Sequence, residues 1–320
     1  MKHFWKILSV ISQSTLSVIL IMELVIGIIG NGFMALVHSL VHCMDWVKRK
    51  KMSLVNKILT ALATSRIFLL WFMLVGFPIS SLYPYLVTTR LMIQFTSTLW
   101  TIANHISVWF ATCLSVFYFL KIANFSNSPF LYLKGRVEKV VSVTLLVSLV
   151  LLFLNILLLN LEINVCINEY HQINISYIFI SYYHLSCQIQ VLGSHIIFLF
   201  APVVLSLSTF LLLIFSLWTH HKRMQQHVQG DRDARTMAHF KALQTVIAFL
   251  LLHSIFILSL LLQFWIHELR KKPPFVAFCQ VVYIAFPSFH SYVLILRDRK
   301  LRHASLSVLS WLKCRPNYVE

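Results

Sequence analysis

Arg66 closes the run LTALATSR inside an otherwise apolar stretch. A buried guanidinium is costly unless acceptors surround it. Counted along a helix, Arg66 lies roughly 18 Å from one end of its stretch, and Asn31 and Ser288 lie roughly 12 Å from the same side of theirs. All three are expected at one depth, in one polar network that His290 and Ser291 extend. Such a network is either a fixed clamp or one that rearranges in use. Glu23 is the one acidic residue of the first apolar stretch, and it stands too near the other end to pair with Arg66.

A second constellation is TSTLWTIANHISVW, residues 96–109. Trp100 and Asn104 are four apart and share a helix face; Thr101 and His105 share the neighbouring one. Residues facing lipid do not carry Thr, Asn and His so densely, so this face lines a cavity or a helix contact. Depth counting puts Trp100 and Phe256 roughly 15 Å, and Gln280 roughly 9 Å, below the other surface. Aromatic walls with a few amides and hydroxyls suit a small-molecule site. The third stretch supplies no carboxylate, so an obligate ammonium ligand is not expected.

Catalytic patterns are missing. There is no HExxH, no Cys/His metal spacing, no phosphate-binding glycine loop, no GxSxG and no intramembrane carboxylate pair. The 15 histidines are scattered, and His220 and His221 read as a solvated pair in a basic loop. Neither an enzyme nor a metal or cofactor protein is expected.

These residues need a scaffold, and composition says which. Of 320 residues, 58% are hydrophobic and 12% charged. Soluble domains carry about 25% charged residues, so the chain reads as an integral membrane protein. Seven stretches meet the requirement of roughly 17–25 mostly apolar residues. They fall at about 16–39, 54–77, 91–120, 137–159, 190–218, 242–266 and 274–296. Runs such as VTLLVSLVLLFLNILLL do not alternate, which excludes a barrel. The expected fold is all-α: one seven-transmembrane helix bundle over residues 1–320. A polar loop over about 160–189 is its longest connection.

Basic residues set the orientation. Of 27 Lys and Arg, 20 flank one side, including Lys48–Lys51, Lys121, Lys134, Lys222, Arg223, Lys241 and Arg297. Basic short loops stay cytoplasmic, so the N-terminus is expected outside and the C-terminus inside. The net charge of +17 is spread beside spans rather than gathered in a basic domain. It implies contact with anionic lipid, is compatible with docking a cytoplasmic partner, and does not imply nucleic acid. Asn174-Ile175-Ser176 then falls outside, as a glycosylation sequon. Cys166 and Cys187 share the expected outer loop and could pair, although sequence leaves connectivity open. Cys314 follows the last span, where acylation or a plain thiol is possible.

Six segments together resemble one family. They are GNGF at 30–33, LTALATSR at 59–66, CLSVFYFLKIANFS at 113–126, HFKALQTVIAFLLL at 239–252, PSFHSYVLIL at 287–296 and KLRHASLSVLSWL at 300–312. In this order they resemble the bitter taste receptors, the type 2 taste receptor family of G-protein-coupled receptors. The resemblance implies that Trp100 and Asn104 touch agonists, and that Pro202 is the helix-five bending point. It places Lys121 toward the G protein and makes Pro287–Ser291 part of an activation segment. Phe256 stands where many members carry tyrosine, and Gln280 where some carry an acid, so cationic compounds are expected to be disfavoured. The implied partners are small bitter agonists and a gustducin-type or inhibitory heterotrimeric G protein, at the plasma membrane. A vomeronasal type 1 pheromone receptor shares the architecture but not the inner motifs. A transporter or channel would carry internal repeats or broken helices, and none is evident.

Overall fold

Leu, Ile, Val and Phe dominate runs too long for strands, and in lipid only a helix satisfies every backbone group within its own segment. The computed structural model accordingly shows helices and no strand among its described residues. These are 2–47, 53–83, 89–172, 177–227, 244, 247–259, 261–262, 273–297 and 301–307.

The helices are α1 (Lys2–Val47), α2 (Leu54–Leu82), α3 (Arg90–Ile122), the short α4 (Ser128–Lys134), α5 (Val137–Gln172) and α6 (Tyr177–His227). They continue with α7 (Ile247–Ser259), α8 (Pro273–Arg297) and α9, residues 301–307. Six of them are long and apolar enough to cross a membrane: α1, α2, α3, α5, α6 and α8. α7 is apolar but shorter over its described length; the expected sixth span, 242–266, reaches beyond the described residues.

Local chemistry sets several ends. The Ser53 side chain accepts the Asn56 N–H and caps α2. Pro129 occupies the first turn of α4, where its missing N–H costs nothing. α3 stops at Ile122, and the chain turns extended at Ala123.

α3 is the central helix: 61% of its spanning window is buried, against 17% for α5. Leu62, Leu70, Leu114, Phe256 and Ile284 belong to one buried apolar cluster shared by α2, α3, α7 and α8. Val143, Leu146 and Leu149 on α5 and Phe215 on α6 are exposed, as lipid-facing positions require.

The helices outrun expectation at one place in particular. The stretch 160–189 is helical wherever it is described, with α5 reaching Gln172 and α6 starting at Tyr177. It is therefore not a long loop. Two of its polar residues, Asn164 and Glu162, serve neighbouring helices. Asn164 Oδ1 accepts from Arg90 Nη2 at 2.8 Å and Gln94 Nε2 at 2.9 Å. Ser194 Oγ donates to Glu162 at 2.8 Å. Cys166 is disulfide-bonded, while the Cys187 side chain and Asn174 lie outside the described residues. Cys113 and Cys279 are buried.

Candidate functional site

One half of the bundle gathers an aromatic cluster around Tyr283 of α8. Its hydroxyl donates to Asn104 Oδ1 of α3 at 2.5 Å. The Trp100 ring lies 6.3 Å from the Tyr283 ring, and Phe256 of α7 lies 5.2 Å from it. Phe256 also packs 5.1 Å from Phe286. These separations suit tilted aromatic pairs. Asn104 is 1% exposed and Phe256 1%. Trp100 is half-buried and forms the more open side of the cluster; Gln280, one turn before Tyr283, is half-buried as well.

The structure thus joins three of the expected ligand residues, Trp100, Asn104 and Phe256, through a fourth that sequence reasoning missed. Tyr283 follows Gln280 by three positions, a spacing that puts both on one helix side. That was the available signal. Thr101 is buried. His105 turns toward α5, where its Nε2 donates to the Ser148 carbonyl at 2.9 Å. Its ring lies 5.8 Å from Trp109.

One layer deeper, Arg66 is fully buried. Its Nη1 donates to His290 Nδ1 at 2.7 Å. Arginine cannot accept, so His290 carries its proton on Nε2 when neutral. The guanidinium also lies 5.2 Å from the Phe286 ring centre, a cation–π distance. Phe286 therefore touches the aromatic cluster on one side and Arg66 on the other.

Asn31 and Ser288 do not bond Arg66. Asn31 Nδ2 donates to the carbonyls of Gly27 and Pro287, at 2.8 and 3.1 Å. Ser288 Oγ donates to the Glu23 carbonyl at 3.3 Å, and Ser291 Oγ to the Ser288 carbonyl at 2.8 Å. Tyr292 adds a bond to the Ile26 carbonyl at 2.8 Å. These side chains stitch α1 to α8 through main-chain oxygens. The missing Pro287 N–H frees the carbonyl four residues earlier, so the Asn31 bond to the Pro287 carbonyl is an added tie between α1 and α8 rather than a replacement for the lost ladder bond.

Pro202 of α6 is used likewise. Thr112 Oγ1 of α3 approaches the Pro202 carbonyl at 3.3 Å and Ser206 Oγ at 2.8 Å. A small cavity opens beside this pair, lined by Ala111, Ser206, Phe210, Phe249, His253 and His290, with Phe286 completing it.

The C-terminal end of α3 is held by its neighbours. Asn124 N–H donates to Ser216 Oγ at 2.9 Å, and Lys134 Nζ to the Ala123 carbonyl at 2.8 Å. Phe125 packs on Phe119, Phe130 and Phe215. Lys121 and Lys222 are exposed. Lys241 and the side chains of Arg223 and Arg297 lie outside the described residues. No group of three metal-ligating side chains occurs among the described residues.

Comparison with known proteins identifies the family. The family described as "Taste receptor protein (TAS2R)" matches residues 8–313. Taste receptor type 2 member 109 of Mus musculus is 89% identical over 320 residues, covering 100% of both chains. The Rattus norvegicus protein of the same name is 72% identical over 320 residues, 100% of this chain and 99% of its own. Taste receptor type 2 member 14 of Macaca mulatta is 49% identical over 304 residues, 95% of this chain and 93% of its own. The chain belongs to the TAS2R family of taste receptor proteins, the G-protein-coupled receptors of bitter taste.

Proposed function

We propose that the chain spans the plasma membrane seven times, N-terminus outside, and binds a small neutral bitter compound among the outer halves of α3, α7 and α8. The observation that carries this reading is the Tyr283–Asn104 pair, flanked by Trp100 and Phe256. It offers stacking surface, one directional amide and no carboxylate. Gln280 and Thr101 extend the site, and His105 supports α3 from the α5 side.

Occupancy favours a state in which the inner helix ends open to a gustducin-type or inhibitory heterotrimeric G protein. A ligand shifts that equilibrium only by its difference in affinity for the two states. Phe286 is the mechanical link, because it contacts Phe256 above and Arg66 below. Pro202 and the Pro287–Ser291 segment are the bending points. Lys121, Lys222, Arg223, Lys241 and Arg297 face the G protein and inner-leaflet lipid, and Asn174 carries glycan.

The test is Asn104→Ala in cells carrying a chimeric G protein. Calcium responses are read against a panel of bitter compounds at equal surface expression. A loss of potency of tenfold or more is expected for compounds that activate the parent receptor. Unchanged potency and efficacy across all of them removes Asn104 from the site.

A further inference from the structure

We propose that Arg66 holds a halide-sized anion in the core of the bundle. Its guanidinium has two donor edges, and only one is used. Nη1 is bonded to His290, while Nε and Nη2 are buried and meet no acceptor. Nε–H and Nη2–H point the same way and form the fork with which arginine grips an anion bidentately. An intact fork on a fully buried arginine marks a binding edge.

The described residues do not supply the counter-charge. Of 10 acidic residues, three lie in the described spans: Glu23, Glu138 and Glu162. Glu138 is exposed in the first turn of α5. Glu162 accepts from Ser194 at the far end of that helix. Glu23 stands one turn beyond Gly27, which packs on Leu70, itself one turn beyond Arg66. That leaves two turns, roughly 11 Å, between carboxylate and guanidinium. Glu23 Oε2 accordingly meets no donor.

A buried charge is retained when it is paired. A water on the fork satisfies its hydrogens but leaves the charge, so a monovalent anion fits better. Its size is limited by tight surroundings: Phe286 covers the guanidinium, and the nearby cavity that Phe286 and His290 line is small. The same positive charge argues against a metal cation at the neighbouring His253 and His290. This site is independent of the agonist reading, because it concerns the resting bundle.

The test melts the purified full-length receptor in lipid nanodiscs, in sodium chloride and in sodium gluconate at equal ionic strength. A ligand of the folded state at free concentration c raises the melting temperature in proportion to ln(1 + c/Kd), flat below Kd and climbing with the logarithm of concentration above it. The expected result is a rise of that form with chloride and with bromide but not with gluconate. Arg66→Met abolishes the difference and the outer-end control Arg90→Met keeps it. Arg66→Lys, which retains charge and loses the fork, needs at least tenfold more chloride for the same rise. Equal melting in both salts overturns the proposal and leaves water on the fork. So does a chloride effect that survives in Arg66→Met, or one that grows linearly with salt concentration. If Arg66→Met does not fold, the parent chloride and bromide titrations decide by the same logarithmic form.

Discussion

Tyr283 and Asn104, separated by 179 positions in the chain, share a buried hydrogen bond of 2.5 Å between α8 and α3. The bond uses the Asn104 carbonyl oxygen, so an agonist that engages Asn104 either replaces Tyr283 or meets the amide nitrogen. Tyr283→Phe removes the donor and keeps the ring that packs on Phe256. Loss of a buried bond that strands one partner costs about 1–3 kcal/mol. The two substitutions Tyr283→Phe and Asn104→Ala are therefore expected to be non-additive, with a coupling of about 0.5–1.5 kcal/mol in melting experiments. Additive effects would mean the pair does not act as a unit.

Gly27 is a close approach of α1 to α8. A Cβ there meets Ser288 Oγ at 2.4 Å and Leu70 Cδ1 at 2.9 Å. Gly32 on the same helix has nothing within 4 Å. Overpacking in a filled core costs about 1–3 kcal/mol, whereas glycine to alanine at an open helix position gains about 0.5–1 kcal/mol. Gly27→Ala is expected to lower the melting temperature and Gly32→Ala to hold or raise it. Ser288→Gly combined with Gly27→Ala is expected to recover part of the loss, since the flexible Leu70 tip can give way. Identical behaviour of the two alanine variants contradicts the close helix contact.

Much of this was legible in the chain and some was not, for physical reasons. Length and apolarity mark a helix whatever it packs against, so α2, α3 and α8 are readable from sequence alone. Arg66 was readable as a buried charge, because arginine in an apolar run has one explanation class. Its partner was not. Asn31, Ser288, His290 and Ser291 all fall at similar depths, and depth does not give rotation about the helix axis. Rotation sends Asn31 and Ser288 to main-chain carbonyls and leaves His290 to the guanidinium. Helix continuation past 160 was hidden because Asn160, Glu162 and Asn164 read as loop residues when their partners are unknown. Tyr283 was hidden because tyrosine is ordinary in an apolar helix until a partner amide faces it.

The α3–α6 seam yields a further prediction. Thr112 bonds Ser206, and Thr209 Oγ1 donates to Ser115 Oγ at 3.1 Å. Hydrogen bonds between membrane helices average only about 0.6 kcal/mol in coupling. Thr112→Val alone strands Ser206 beside the cavity and the Pro202 carbonyl. It is expected to destabilise by about 1 kcal/mol, and adding Ser206→Ala is expected to restore most of that. Melting of the single and double variants in nanodiscs checks it. A double variant worse than either single variant shows that the hydroxyls hold the proline bend rather than one another.

The C-terminal end of α5 supplies the last case. Asn164 Oδ1 serves two donors from α3, Arg90 and Gln94, at 2.8 and 2.9 Å. Asn164→Leu keeps the bulk and leaves both without their acceptor. Arg90 is exposed and finds water, so the global cost is expected to stay below about 1 kcal/mol. The local effect is expected to be larger, because helix ends open with little free energy when their tertiary bonds are few. Amide hydrogen exchange should therefore accelerate at least fivefold over residues 160–172 while the 137–155 segment keeps its rate. Glu162→Gln tests the neighbouring bond to Ser194 in the same measurement, and a neutral amide still accepts there, so exchange should change little. Unchanged exchange in Asn164→Leu means that intrinsic helix propensity, not the α3 contact, carries the helix past the polar stretch.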